Sequence, residues 1–466
     1  MRAGALGVAV GLVLADGSVV VLALPDIYRE LDVSVSAVVW VLISFNLVLA
    51  AAAVPAALLA RALGPARLTV AGLLLFAAAS LVCGVATDIE ILIAARCVQA
   101  LGGAAAVCGA LELLPASLGS ERAAATRWAI AGATGAALGP GLGGLLTELI
   151  SWQSIFLVQV PVAVIVAVPL LPRVAPILRP PEHPPWSAGV AAKSMTGPAA
   201  HATAARATPH IAANIALGLV SAALAAALFL LVLLLIEGWR LTPIAAAAAV
   251  TVMPVAALLS GPLAARVPSA QARAAAGVIL VAGGLAGLGL LPRATVALTI
   301  PPQVLVGVGL ALTLAALTES ALDGRSPQAI HGGWTIAARH AGVVLGLLLL
   351  TPIFTSDLRE QRRDAIDAGT AVLLDARVEP LLKIELAERI SERLDDERGR
   401  VPVIGPAFEP LPDDPTERAE IEGLEADLQD QLDRAATTAF SASFLLAAAF
   451  ALAALLTIGL TRRVEL

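Results

Sequence analysis

The sequence predicts an all-α membrane protein: 12 transmembrane helices in two six-helix halves, with a charged helical hairpin between spans 11 and 12. Three observations carry that prediction. The 466 residues are 58% hydrophobic and only 14% charged, where soluble domains carry about 25% charge. Twelve segments are long and apolar enough to cross a hydrocarbon core of ~30 Å, which takes about 20 residues in a helix. The basic residues between those segments also sort to one side of the bundle.

In the first half the spans fall at 3–24, 36–60, 67–87, 89–115, 127–149 and 153–172. The first is read as a span and not a cleaved leader, because Asp16 interrupts the apolar run and no small-residue cleavage site follows. Within the fifth lies "ATGAALGPGLGGLL", whose glycine and proline content would mark a loop in a soluble protein. No charge occurs from Trp128 to Thr147, so a helix is expected. Gly135, Gly139 and Gly143 are spaced by four, share one helix face, and let a neighbouring backbone come close. Pro140 has no N–H for the carbonyl of Ala136, so a bend is expected there. The freed carbonyl then needs another donor.

In the second half the spans fall at 211–237, 241–266, 272–292, 296–318, 331–354 and 436–461. A weak internal repeat relates the halves. "ARALGPARLTVAG" after span 2 is similar to "ARVPSAQARAAAG" after span 8, pairing Arg61 and Gly72 with Arg266 and Gly277. The domains are therefore 1–172, a linker at 173–210, a second half of 211–354 with 436–466, and an insertion at 355–435.

Odd connectors hold few basics: Arg29, Arg240 and Arg293 in the short ones. Even connectors and the termini hold Arg2, Arg61, Arg67, Arg122, Arg127, Arg173, Arg179, Lys193, Arg206, Arg266, Arg273, Arg325, Arg462 and Arg463. Basic connectors stay in the cytoplasm, so both termini and the linker are expected there and the insertion outside. Residues 355–434 hold 22 acidic and 11 basic side chains, a net of −11, where the rest of the chain holds 14 and 19. Helices are expected at 357–394 and 415–437, on either side of "RVPVIGPAFEPLPDDP". Arginine dominates lysine and alanine is abundant, which suggests a GC-rich genome and the plasma membrane of a bacterium.

These motifs resemble the major facilitator superfamily, and its drug:proton antiporters in particular. "GATGAALGPGLGGLL" is similar to the fifth-span antiporter motif of that group, placing Gly135, Gly139, Pro140, Gly143 and Gly144 in it. "LADGSVVVLALPDIYRELDVS", "LIAARCVQALGGAAAV" and "SWQSIFLVQVPVAV" look like the first, fourth and sixth spans, and "TIAARHAGVVLGLLLL" like the eleventh. The resemblance covers roughly 5–170 well and 225–355 loosely. It departs in the loop after span 2. There Arg61 stands where the family has Asp, and Pro65 and Ala66 stand where it has basics, around Gly64 and Arg67. It also implies 14 spans, for which the linker has no room.

The resemblance implies alternating access driven by a proton gradient, with no cofactor. A charge inside a bilayer is a functional residue by default. Asp16 and Arg96 each lie about 11–12 Å below the outer rim at 1.5 Å per residue, so they are expected to face one cavity and to couple. Asp16 is the expected proton carrier. Gln99, Asn46 and Arg339 are the expected cavity residues, with His340, Glu112, Glu237 and Glu319 as supporting or solvated groups. Glu237 and Glu319 end their spans and are expected in solvent.

The expected partners are a small amphipathic or cationic substrate, protons and lipid, with an extracytoplasmic partner open at 355–435, no nucleic acid, and a monomeric chain. Export of an endogenous metabolite or lipid stays open, because aromatics are only 3% of the chain. So does a scaffold or sensor acting through the insertion. No phosphate-binding loop, metal-ligand cluster or other enzyme signature occurs.

Overall fold

The computed structural model describes residues 2–173, 209–267, 269–322, 325, 327–375, 380–394, 404–409 and 414–461. Most of the expected linker and the last five residues lie outside that range. Among the described residues the protein is all helix, with no strand. Eleven helices among the described residues are long and apolar enough to cross a bilayer, and one further apolar segment, Pro243–Leu259, is shorter.

The first half contains α1 (Arg2–Glu30), α2 (Val35–Leu63), α3 (Pro65–Gly84), α4 (Ile89–Leu118), α5 (Glu121–Leu149), α6 (Ser154–Leu157) and α7 (Gln159–Ala167). Oxygen-bearing side chains fix the starts of α2, α4 and α5. Ser34, Asp88 and Ser120 accept from the N–H groups of Ala37, Ile91 and Ala123 at 3.2, 2.8 and 3.3 Å. Each satisfies a donor that the first helical turn leaves open. α2 and α3 are joined by Gly64 alone, which sits at φ 92°, a conformation that a side chain would strain. Pro65 then opens α3, where a missing N–H costs nothing.

The second half contains α8 (Ile211–Leu233), α9 (Pro243–Val250), α10 (Val252–Leu259), α11 (Gly261–Arg266), α12 (Ala270–Gly289), α13 (Val296–Leu322), α14 (Gln328–Asp375), α15 (Pro380–Leu394), α16 (Pro415–Ala439) and α17 (Ser441–Thr461). The expected eighth span, 241–266, is thus three short helices in series. Pro254 and Pro262 lack the N–H that would bond the turn before them, and the helix is interrupted one turn ahead of each.

The eleventh span also differs from expectation. It does not stop at 354 but runs on as one helix to Asp375, because no proline follows Pro352 before that residue and Gly369 is carried within the helix. Beyond Asp375, the described residues of the insertion include the helices α15 and α16. Leu386, Phe408, Ile421, Leu424 and Leu428 form a small apolar core of their own. The Arg389 guanidinium donates to the carbonyl of Glu409 at 3.1 Å, and α16 packs along α14.

The internal repeat holds in three dimensions. Gly72 of α3 lies against Gly102 and Ala106 of α4, and Gly277 of α12 lies against Gly309 and Thr313 of α13. The two halves meet where α2 packs on α14 and where α5 packs on α9. The insertion end of the bundle carries further links. Arg29 pairs with Glu237 across the halves, and Glu148 accepts from the backbone N–H of Ile244 at 2.6 Å. Glu237 is therefore not solvated as expected. Its side chain is 11% exposed and is held by Arg29. Glu319 does lie at the surface, 46% exposed, against Arg273 at 2.8 Å.

Candidate functional site

Five buried polar side chains meet inside the first half. Asp16 of α1 forms an ion pair with Arg96 of α4, both with no exposed surface. The other carboxylate oxygen, Asp16 Oδ1, accepts from Gln159 Nε2 of α7 at 2.9 Å and from Gln99 Nε2 at 3.3 Å. Gln99 Oε1 in turn accepts from Arg96 Nη1 at 2.6 Å, and Gln99 Nε2 reaches Ser80 Oγ of α3 at 2.8 Å. Arg96 Nε donates to the carbonyl of Val41 in α2 at 3.2 Å. The guanidinium lies 4.1 Å from the Phe45 ring centre and 5.6 Å from that of Phe156, in the range where a ring face attracts a cation.

This arrangement ties α1, α2, α3, α4 and α7 to one carboxylate. An isolated charge in such a place would be very costly, and the pairing with further hydrogen bonds makes it tenable. The structure brings Asp16, Arg96 and Gln99 together as the spacing suggested, but seals them. None opens onto a cavity in this conformation. Gln159 and Ser80 complete the cluster and were not singled out from the sequence. Their signal was present: a glutamine inside the apolar run of span 6, and a serine in span 3.

The glycine face of α5 is directed at α1. A Cβ on Gly135 would strike the carbonyl of Gly11, one on Gly139 the hydroxyl of Ser18, and one on Gly143 the carbonyl of Val19. The stripe therefore seats α1 within the first half. The contact with the other half falls to Gly144, where a Cβ would lie 2.6 Å from the Pro243 carbonyl. α5 continues unbroken through Pro140. The carbonyl that Pro140 cannot bond is met by Ser18, whose hydroxyl is 3.0 Å from Ala136 O and 2.9 Å from its own Ala15 O. Gly139 is thus the space through which Ser18 reaches that carbonyl. Ser18→Ala should lower thermal stability by about 1 kcal/mol, the usual value of a hydrogen bond. An unchanged melting temperature in detergent would show that water replaces the hydroxyl.

Asn46 and Arg339 lie apart from this cluster. Asn46 Nδ2 donates to Leu42 O at 2.8 Å, and Asn46 Oδ1 meets His340 Nδ1 of α14 at 2.6 Å, a link between the halves. Arg339 is half-buried and makes no hydrogen bond or ion pair with any described residue. Arg61 is exposed at the end of α2, and Arg67 is partly buried early in α3.

The sequence model of the Major Facilitator Superfamily matches residues 6–350. The chain belongs to the major facilitator superfamily. That superfamily is one of transporters and not enzymes, and this member is an integral, multi-pass membrane protein. Among curated relatives, the methylenomycin A resistance protein of Bacillus subtilis is 37% identical over 174 residues, 36% of this chain and 37% of that one. The multidrug resistance protein Stp of Mycobacterium tuberculosis is 36% identical over 165 residues, 35% of this chain and 31% of that one. The cephamycin export protein CmcT of Amycolatopsis lactamdurans is 36% identical over 178 residues, 38% of this chain and 36% of that one. The match spans about a third of each relative's length. A solved bacterial homolog of the human lysosomal transporter Spinster, inward-facing and unoccupied, aligns over 98% of this chain and 97% of its own, with TM-score 0.57 and 16% identity. At that identity the likeness is one of fold.

Proposed function

We propose that this major facilitator protein exports a small amphipathic compound in exchange for protons, with Asp16 as the proton carrier. The observation that carries the reading is the sealed Asp16–Arg96 pair, held by Gln99 and Gln159. The resistance and export names of the relatives point the same way. In this reading the linker end faces the cytoplasm and the insertion stands outside.

The proton acts through the cluster. As a carboxylate, Asp16 accepts from Arg96, Gln99 and Gln159 together. Once protonated it loses its charge and turns one acceptor into an O–H donor, for which the Oε1 oxygens of Gln99 and Gln159 are the nearby acceptors. Arg96 keeps its bond to Val41 O and its place over Phe45, so it stays on α2 and α4 while α1 is released. α1 is seated on α5, and α5 meets the other half at Gly144. Protonation is thereby coupled to the contact between halves.

Asp16→Asn should abolish gradient-driven accumulation of an exported probe in everted vesicles while leaving its gradient-independent exchange. The Asn carbonyl still accepts from Gln159, so the fold persists. Accumulation equal to wild type in the variant would remove Asp16 from the proton path. Gly144→Val should act at a different point. It forces α5 and α9 apart at the insertion end, and cysteine pairs placed across that contact should cross-link more slowly than in wild type.

A further inference from the structure

We infer that the exported compound is carried as an anion, with Arg339 as the group that holds its negative charge; this rests on the export reading above. Among the described residues, three charged side chains stand deep in the apolar segments: Asp16 in α1, Arg96 in α4 and Arg339 in α14. The first two cancel as an ion pair. The third is left with no counter-charge and no hydrogen bond.

The placement of Arg339 explains why no side chain answers it. Gly332, Ile336 and Arg339 follow one another at helical spacing on α14. Gly332 abuts Leu111 of α4, and Ile336 is buried in the same apolar cluster as Leu111. That stripe of α14 therefore looks across to the first half. The stripes on either side are occupied. His340 meets Asn46 of α2, while Gly342 and Gly346 lie against Gly218 and Ala222 of α8. Arg339 stands between these two interfaces, one turn beyond Ile336, and remains partly exposed.

The charge arithmetic then selects the guest. Both oxygens of the buried carboxylate are engaged, Oδ2 by Arg96 and Oδ1 by Gln159, so a cation meets no vacant acid there. An anion meets a guanidinium with five N–H donors and no acceptor. Its planar fork fits a carboxylate or similar oxyanion through two parallel hydrogen bonds. In a low-dielectric interior an unanswered charge weighs more than it does in water. The guest is thus an apolar body bearing one carboxylate-like group, which keeps the amphipathic cargo expected from the sequence and sets aside the cationic one.

The test uses two probes with one body: pyrenebutyrate, and the analogue in which a trimethylammonium group replaces the carboxylate. Purified full-length protein should bind pyrenebutyrate saturably, at least ten-fold more tightly than the ammonium probe. Arg339→Lys should keep that preference, and Arg339→Gln should weaken pyrenebutyrate binding at least ten-fold. Arg339→Gln should also melt no lower than wild type, since it removes an unanswered charge. Undiminished pyrenebutyrate binding by Arg339→Gln overturns the inference, as does tighter binding of the ammonium probe by wild type. Proteoliposomes under a proton gradient separate the two readings. Movement of the ammonium probe alone sinks the anion inference and leaves export standing, and movement of neither sinks both.

Discussion

Arg96→Met should cost about 3–5 kcal/mol of stability, the usual penalty for removing one partner of a buried ion pair. The expectation follows from burial. Asp16 has no exposed surface, and without Arg96 its charge would rest on two glutamine amides alone. The measurement is the melting temperature of the purified protein in detergent, read by loss of the monodisperse peak after heating. Adding Asp16→Asn to Arg96→Met should recover most of the loss, since the stranded charge is then gone. Asp16→Asn alone should be milder, because the guanidinium keeps the Val41 carbonyl, the Gln99 carbonyl oxygen and the Phe45 ring. If Arg96→Met melts with wild type, the pair is not what holds these helices.

The second large effect is Gly135→Val. A Cβ at Gly135 would collide with the Gly11 carbonyl and lie 2.7 Å from its Cα. The obstacle is backbone, which cannot rotate away as a side chain can. Overpacking against side chains costs about 1–3 kcal/mol, and here α1 itself must shift, taking Asp16 with it. Gly135→Val should therefore lose both thermal stability and transport. Gly141→Ala on the same helix is the control, since its Cβ would have nothing nearer than Thr251 Oγ1 at 3.9 Å. Equal behaviour of the two variants would mean that α1 and α5 are not tightly engaged.

Much of the architecture was legible in the sequence because a bilayer imposes a length on every apolar run. The spans begin where Ser34, Asp88 and Ser120 sit, which are residues that cap helices in any setting. What the sequence concealed was where helices stop or break when no cap says so. α14 runs 21 residues past its expected limit, because nothing in "FTSDLREQRRDAIDAG" forbids a helix. The division of 241–266 into three helices depended on Pro254 and Pro262, which other spans tolerate, as α5 does at Pro140.

For the site, Asp16 and Arg96 were visible as charges out of place. Gln159 was not, since one glutamine in an apolar run has many ordinary explanations. The direction of the glycine face was also hidden. Spacing shows that Gly135, Gly139 and Gly143 share a side, but only packing shows that α1 occupies it.

The length of α14 has a mechanical consequence. Its 48 residues make one rod of roughly 72 Å at 1.5 Å per residue, more than twice a hydrocarbon core of ~30 Å. One end is clamped to α2 and α8 inside the bundle, and α16 braces the other part. A rod held at its base works as a pointer. A tilt of about 10° about the clamp swings a tip ~40 Å away by roughly 7 Å, taking the 1.5 Å rise as the scale. A tilt of the bundle should therefore carry the insertion with it, and a fluorophore pair between Asp375 and the α1–α2 turn should read that tilt as a change in distance; an unchanged distance under a proton gradient would show that α14 does not swing.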